Sequence, residues 1–232
     1  MSDALVLTDV EKQYGGLRPL RVRNLRVRAG HLAMLLGFDR PAAEVFVNLI
    51  TGASLPDTGE VQSLGRPTRA IANGDEWLAF VERFGIVSER IVLLEAMTVA
   101  QNLAMSFDLE IEPVPPAIMA RVAQLGGEVG IDAQQLERRV ADVPPLVRSK
   151  IYLARALAFD PAILVLEHPT ANLSVGDAKA FAAIVSAVAA RRRLTTVGLL
   201  MDEKFAKAIG GRLLTWQPAT GEMKERSSLR FW

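Results

Sequence analysis

The stretch LLGFDRPAAEVFVNLITG, Leu35–Gly52, joins the end of an apolar run to the start of an amphipathic one. The apolar run from Ala33 to Leu36 predicts a buried strand that ends at Gly37. Apolar and small residues from about Ala42 onward predict a helix. A strand, a glycine and a helix in this order form the frame of a phosphate-binding loop, whose backbone N–H groups lie at a helix N-terminus.

The residues between this strand and helix lack the groups that bind phosphate. A phosphate-binding loop uses glycines that let N–H groups surround the phosphate, a lysine that reaches its outer oxygens, and a hydroxyl that holds Mg²⁺. Here Pro41 has no N–H, Ala43 stands in place of the lysine, and Glu44 stands in place of the hydroxyl. The altered loop consists of Gly37, Phe38, Asp39, Arg40, Pro41, Ala42, Ala43 and Glu44. The sequence therefore keeps the frame of the loop without its phosphate chemistry.

Length and composition predict one soluble domain with a full core. The chain has 232 residues, of which 50% are hydrophobic and 23% charged, and its net charge is +1. This balance does not favour nucleic acid as a partner. The absence of cysteine suits the cytosol, and the acids in MSDALVLTDVEK argue against a signal peptide. We also expect no membrane span, because no apolar run approaches the length that a bilayer requires.

Strand and helix patterns predict an α/β fold with a mainly parallel sheet flanked by helices. We expect residues 1–31 to form part of an antiparallel β subdomain. Residues 32–88 and 142–232 are expected to form the core, with an inserted helical subdomain at 89–141. These parts would make residues 1–232 a single domain.

Three longer segments, spread over nearly the whole chain, carry further motifs. They are LITGASLPDTGEV, MTVAQNLA and IYLARALAFDPAILVLEHPTANLS. In wording, order and spacing they resemble the ATP-binding cassette (ABC) family, the nucleotide-binding subunits of ABC transporters. The resemblance implies a phosphate-loop NTPase core with an antiparallel β subdomain and a helical subdomain. It also implies a membrane permease that the helical subdomain contacts.

The same resemblance identifies four further positions where the family's functional residue is replaced. Glu89 falls on the glutamine of the Q-loop, and Met201 on the switch histidine. Glu167 falls on the aspartate that ends the Walker B strand, and His168 on the catalytic glutamate. His168 is either a base or a structural residue, and the structural role is the more common one for a lone histidine after an apolar strand.

Three other segments bear on partners or ligands. The signature of the family, a helix N-terminus that a second subunit presents to ATP, falls on Val143, Pro144, Pro145, Leu146 and Val147. Tyr14 falls on the aromatic residue that stacks on adenine, although a turn aromatic that packs on the β subdomain is an equally simple interpretation. Phe231 and Trp232 either dock on a neighbouring subunit or pack on their own domain.

These replacements predict a catalytically inactive ABC-type homologue, a structural or regulatory subunit of a membrane transport complex. Its expected partners are a permease subunit and a second cassette, identical or different, and its expected place is the cytoplasmic face of the membrane. We expect no cofactor and no metal site. One alternative is a working ATPase with an unusual site built on Arg40, Glu44, Glu167 and His168, which would use ATP and Mg²⁺. Another is a stand-alone protein-interaction module.

Overall fold

The computed structural model describes residues 2–225, so Phe231 and Trp232 lie outside the described residues. Its strands are β1 (Asp3–Lys12), β2 (Leu20–Arg28), β3 (Leu32–Leu36), β4 (Thr58–Ser63), β5 (Arg66–Pro67), β6 (Phe84–Ser88), β7 (Ile163–Glu167), β8 (Thr195–Leu200), β9 (Arg212–Gln217) and β10 (Glu222–Glu225). Its α-helices are α1 (Arg40–Ile50), α2 (Gly74–Val81), α3 (Val99–Ala104), α4 (Pro116–Val129), α5 (Ala133–Glu137), α6 (Pro145–Ala156), α7 (Val175–Arg192) and α8 (Glu203–Ile209). None of these helices is long and apolar enough to cross a bilayer.

The larger sheet has six strands in the order β10-β9-β3-β8-β7-β6. All pairs from β9 to β6 are parallel, and β10 joins the edge antiparallel to β9. Every residue of β7 is buried, as expected for a parallel strand covered on both faces. Leu164 and Leu166 pack in a cluster with the helices α3 to α8, whereas Ile163 and Val165 pack in a second cluster with α1 and the smaller sheet. The predicted mainly parallel sheet is confirmed.

The smaller sheet is antiparallel, in the order β2-β1-β4-β5. Its strands β4 and β5 come from within residues 32–88, so the expectation that this whole segment belongs to the core is wrong. Gly59 makes the pairing of β4 with β1 possible, since its φ is +80° and a Cβ there would lie 2.2 Å from the Asp9 carbonyl oxygen. The turn before Gly59 thus leads the chain back to the antiparallel sheet before it returns to the core at β6.

Helices α3, α4 and α5 lie within residues 89–141, where the sequence predicts an inserted helical subdomain. Their apolar side chains share one cluster with α6 and α7, so they pack on the core without a polar gap. An ion pair adds to this contact. The Arg192 guanidinium on α7 donates to both carboxylate oxygens of Glu128 on α4, at 2.8 and 2.5 Å.

We expect Glu128→Gln to lower the free energy of unfolding by about 1–3 kcal/mol at neutral pH, between the usual costs for exposed and buried ion pairs. Hydrogen bonds from Arg192 hold the pKa of Glu128 below its ordinary value. Stability from a carboxyl with a lowered pKa is present above its unfolded pKa, near 4.3, and is lost as the pH falls through the folded pKa. The Tm difference between wild type and variant should therefore shrink below about pH 4.

The matched control for this prediction is Glu95→Gln. Glu95 pairs with Arg148 at 2.9 Å but is largely exposed, so its loss should lower the Tm much less than Glu128→Gln does. Equal Tm changes for the two variants would show that the partly buried pair of Glu128 stabilises the fold no more than the exposed pair of Glu95.

Candidate functional site

The loop between β3 and α1 is anchored in the core by Phe38. This side chain is fully buried and stacks on Trp216, with ring centroids 4.4 Å apart. It also meets the ring of Phe46 edge-on at 5.4 Å. Gly37 precedes it at φ +95° and donates its N–H to the Leu200 carbonyl at 3.0 Å. The loop is therefore held from below by aromatic packing and by a hydrogen bond to the end of β8.

The N-terminus of α1 is capped by a carboxylate of the loop itself. The Asp39 side chain accepts a hydrogen bond from the Ala42 N–H at 2.8 Å, and its carbonyl accepts one from Ala43 at 2.9 Å. Pro41 contributes no N–H. Negative charge is favoured at this end of a helix, and here Asp39 supplies it. Ala42 and Ala43 are themselves completely buried.

A cavity of about 360 Å³ lies beside this loop, at the carboxyl ends of β6 and β7. It brings together six of the predicted site residues, and it is lined by Arg40, Pro41, Glu44, Ser88, Glu89, Arg90, Glu167 and His168. Residues that are far apart in the sequence thus meet at one cavity. Among the ionisable residues that line it, the sequence interpretation missed only Arg90.

Arg90 is the central charge of the cavity. Its Nε lies 2.9 Å from Oε1 of Glu167 and its Nη2 lies 2.7 Å from Oε2, a two-pronged contact. Its Nη1 lies 3.1 Å from Oε1 of Glu44. The hydrogen bonds to Glu167 raise the pKa of Arg90 above its ordinary value, against an opposing effect of burial. One guanidinium therefore neutralises two carboxylates that come from α1 and β7.

Glu89 and Arg40 form a looser pair on the rim. The Arg40 Nη2 lies 3.7 Å from a Glu89 oxygen, and the Arg40 side chain is 71% exposed. The other Glu89 oxygen accepts a hydrogen bond from Asn172 at 2.7 Å. Arg40 thus makes fewer close contacts than Arg90, whereas Glu89 is held by its hydrogen bond to Asn172.

His168 is strained and has a buried nitrogen. Its φ is +45°, which is uncommon for a residue other than glycine, and its N–H donates to Leu199 at 3.2 Å. Its Nε2 has no hydrogen-bond partner within residues 2–225. Met201, at the position of the switch histidine, is exposed and does not line the cavity.

The segment Val143–Val147 forms the start of α6, away from the cavity. Pro144 precedes this helix and Pro145 is its first residue, so two backbone donors are missing there. The Val147 N–H is already used, because it donates to the Pro144 carbonyl at 2.9 Å. Val143 and Val147 are buried. This helix start offers a partner few N–H groups.

Tyr14 packs, half-buried, against the apolar cluster beneath the antiparallel sheet. Burial raises the pKa of its phenol, and the nearby charge of Asp39 adds to this effect. This contact is the packing that one of its two interpretations expects. Within residues 2–225, no group of three or more His, Cys, Asp or Glu side chains is arranged to hold a metal ion.

Solved structures with this arrangement of strands and helices are ATP-binding cassettes. The post-hydrolysis dimer of the cassette MJ0796, bound to ADP and Pi, covers 98% of this chain with a TM-score of 0.77 at 19% identity, over 100% of its own length. The structure of cbiO1 from Clostridium perfringens, part of the transporter complex cbiONQ, covers 97% with a TM-score of 0.80 at 17% identity, over 88% of its own length. This chain has the ATP-binding cassette fold.

The sequence of this chain is also similar to those of import ATP-binding proteins. It is 29% identical to the sulfate/thiosulfate import ATP-binding protein CysA of Thermosynechococcus vestitus, over 90% of this chain and 60% of that protein. It is 28% identical to the Fe(3+) ions import ATP-binding protein FbpC 3 of Rhodococcus jostii, over 92% of this chain and 59% of that protein. The chain thus spans about 60% of the length of these relatives. No protein-family model matches it.

Proposed function

We propose that this cassette does not hydrolyse ATP and acts as a structural or regulatory subunit of a membrane transport assembly. The observation that carries the proposal is the charge arrangement around α1. Asp39 places a carboxylate on the helix N-terminus, where a cassette would bind phosphate, and Arg90 neutralises Glu44 and Glu167 beside it. The chain itself thus supplies both the anion and the cation of this site.

The donor set fits a nucleotide with its metal poorly. A phosphate at the N-terminus of α1 would have to displace Asp39 and would then lie close to Glu44. Two unit charges 4 Å apart interact by roughly 4 kcal/mol at an effective dielectric near 20. Ala43 offers no compensating cation, and Arg40 is held towards Glu89 on the rim. Binding of ATP would therefore cost several kcal/mol relative to an intact loop.

The start of α6 supports the same proposal for a two-subunit site. If a second subunit presented its phosphate loop to α6, it would meet Pro144 and Pro145 in place of free N–H groups. Pairing with an intact cassette would leave one site with the altered loop and the other with the altered helix start. Neither site would be complete.

The transport role rests on the relatives and on the fold. The curated relatives are named as import ATP-binding proteins, and a solved neighbour is a dimer. We propose that residues 89–141 contact a permease subunit, that the cassette pairs with itself or with a second cassette, and that it lies at the cytoplasmic face of the membrane. The alternative of an unusual ATPase needs Glu44 and Glu167 to be free, and Arg90 contacts both.

Millimolar Mg-ATP should leave the Tm of the purified protein unchanged. A ligand at 100 times its Kd would stabilise the folded state by about 2.7 kcal/mol, which corresponds to several degrees for a chain of this size. The measurement is differential scanning fluorimetry with Mg-ATP, with Mg-ADP and with Mg²⁺ alone. An intact cassette handled in parallel shows that the assay detects nucleotide.

A saturable rise of several degrees with ATP, beyond that with Mg²⁺ alone, would overturn the proposal of a site without nucleotide. The transport role is tested separately, by co-purification with a membrane permease. That association should be the same with ATP, with ADP and with a chelator, because packing alone would hold the contact. Association that requires ATP would contradict it.

A further inference from the structure

Arg90 connects three elements that meet at the cavity. It follows the end of β6, where its N–H donates to the Ser88 hydroxyl at 3.2 Å. Its guanidinium then reaches Glu167 at the end of β7 and Glu44 in α1. All three of its nitrogens contact a carboxylate oxygen within 3.1 Å.

The two carboxylates need a cation between them. The Glu167 side chain is only 5% exposed, so its charge cannot be solvated by water. Glu44 is half-exposed but points to the same guanidinium. A carboxylate buried without a partner is strongly unfavourable, and a second one nearby adds repulsion. The planar fork of a guanidinium matches Glu167, whereas a single ammonium would make fewer of these contacts.

We infer that Glu44 and Glu167 form a binding site for a guanidinium cation, which Arg90 fills from within the chain, and that a small guanidinium from solution binds there when the Arg90 side chain is removed. The inference rests on the proposed function only in taking the cavity to be free of nucleotide. It identifies a site that recognises planar cations instead of phosphate. The site locks α1 to the ends of β6 and β7.

The test is chemical rescue of Arg90→Ala. This variant should unfold at least about 5 °C below wild type, because Glu167 loses its partner. Millimolar methylguanidinium chloride should raise its Tm saturably and leave wild type unchanged. Sodium chloride at the same ionic strength controls for screening. Arg40→Ala is the matched control, since Arg40 lines the same cavity but is largely exposed, and it should show neither a large loss nor a rescue.

An unchanged Tm for Arg90→Ala would overturn the inference, as would a rescue that sodium chloride or the Arg40→Ala variant reproduces. If Arg90→Ala does not fold, Arg90→Lys is measured in its place, because it keeps a positive charge beside the two carboxylates. Its Tm should still fall below wild type, because one ammonium cannot bind Glu167 through two prongs and Glu44 as well. If Arg90→Lys had the same Tm as the wild type, the inference of a guanidinium site would be wrong. None of these assays contains ATP, so their failure would overturn the guanidinium site and leave the proposed function standing.

Discussion

Phe38→Ala should lower the free energy of unfolding by about 3–5 kcal/mol, the usual range for loss of a buried phenylalanine. The side chain is completely buried between Trp216 and Phe46, and these rings cannot both move to fill its volume. The loop would also lose the packing that holds it under the smaller sheet. Urea unfolding followed by tryptophan fluorescence measures the change, and Trp216 reports directly on the site.

The matched control is Phe159→Ala, the same substitution at a position where the ring is 53% exposed. Its cost should be about 1 kcal/mol or less, including the lost contact with Phe107. A loss below about 1 kcal/mol for Phe38→Ala would mean that aromatic packing does not hold this loop.

The double substitution Ala43→Lys with Glu44→Ser should give no ATP turnover and should destabilise the protein by about 2–4 kcal/mol. It restores the residue types of an intact phosphate loop, yet Ala43 is completely buried and does not line the cavity. A lysine there would have to bury its ammonium or displace the loop. Removing Glu44 also leaves Arg90 with only one carboxylate.

Phosphate release measures the first part of this prediction and urea unfolding the second. Glu44→Ser alone is the control for stability, because it leaves the buried alanine in place and should cost less than the double variant. Turnover in the double variant that disappears with Glu167→Gln would show that the damage is confined to one loop. The proposal of an inactive cassette would then be wrong.

The elements that the sequence predicted well are those whose pattern depends on burial. The apolar runs Ala33 to Leu36 and Ala162 to Leu166 predicted β3 and β7 to within one residue at their ends, because strands buried on both faces need continuous apolar residues. The elements it missed bury little. β10 has the sequence EMKE and none of its side chains is fully buried, while α2 buries only Phe80. Strand β4 has a single apolar side chain, Val61. The alternation of apolar and polar residues that predicts a strand is therefore almost absent from its sequence.

The resemblance of motifs singled out six residues that line the cavity, but it did not single out Arg90. Its role depends on the register of two parallel strands, in which Ser88 on β6 pairs with Glu167 on β7. This pairing places the residues that follow β6 next to the end of β7. A sequence shows neither the strand order nor the direction of a long side chain. One signal in the sequence could have pointed to Arg90. It is a basic residue just after one predicted strand, combined with an acidic residue at the end of the strand that pairs with it.

The contact of Arg90 with two acids also bears on how this chain could change over evolutionary time. Replacing Arg90 first leaves the buried Glu167 unpaired, and replacing Glu167 first leaves a cation facing a cavity with one partner fewer. Replacing Glu44 first removes one of the two carboxylates that contact Arg90. Each single step towards a phosphate-binding loop therefore passes through a less stable intermediate. The three side chains depend on one another, so a change to the residue types of a phosphate-binding loop would require several substitutions together.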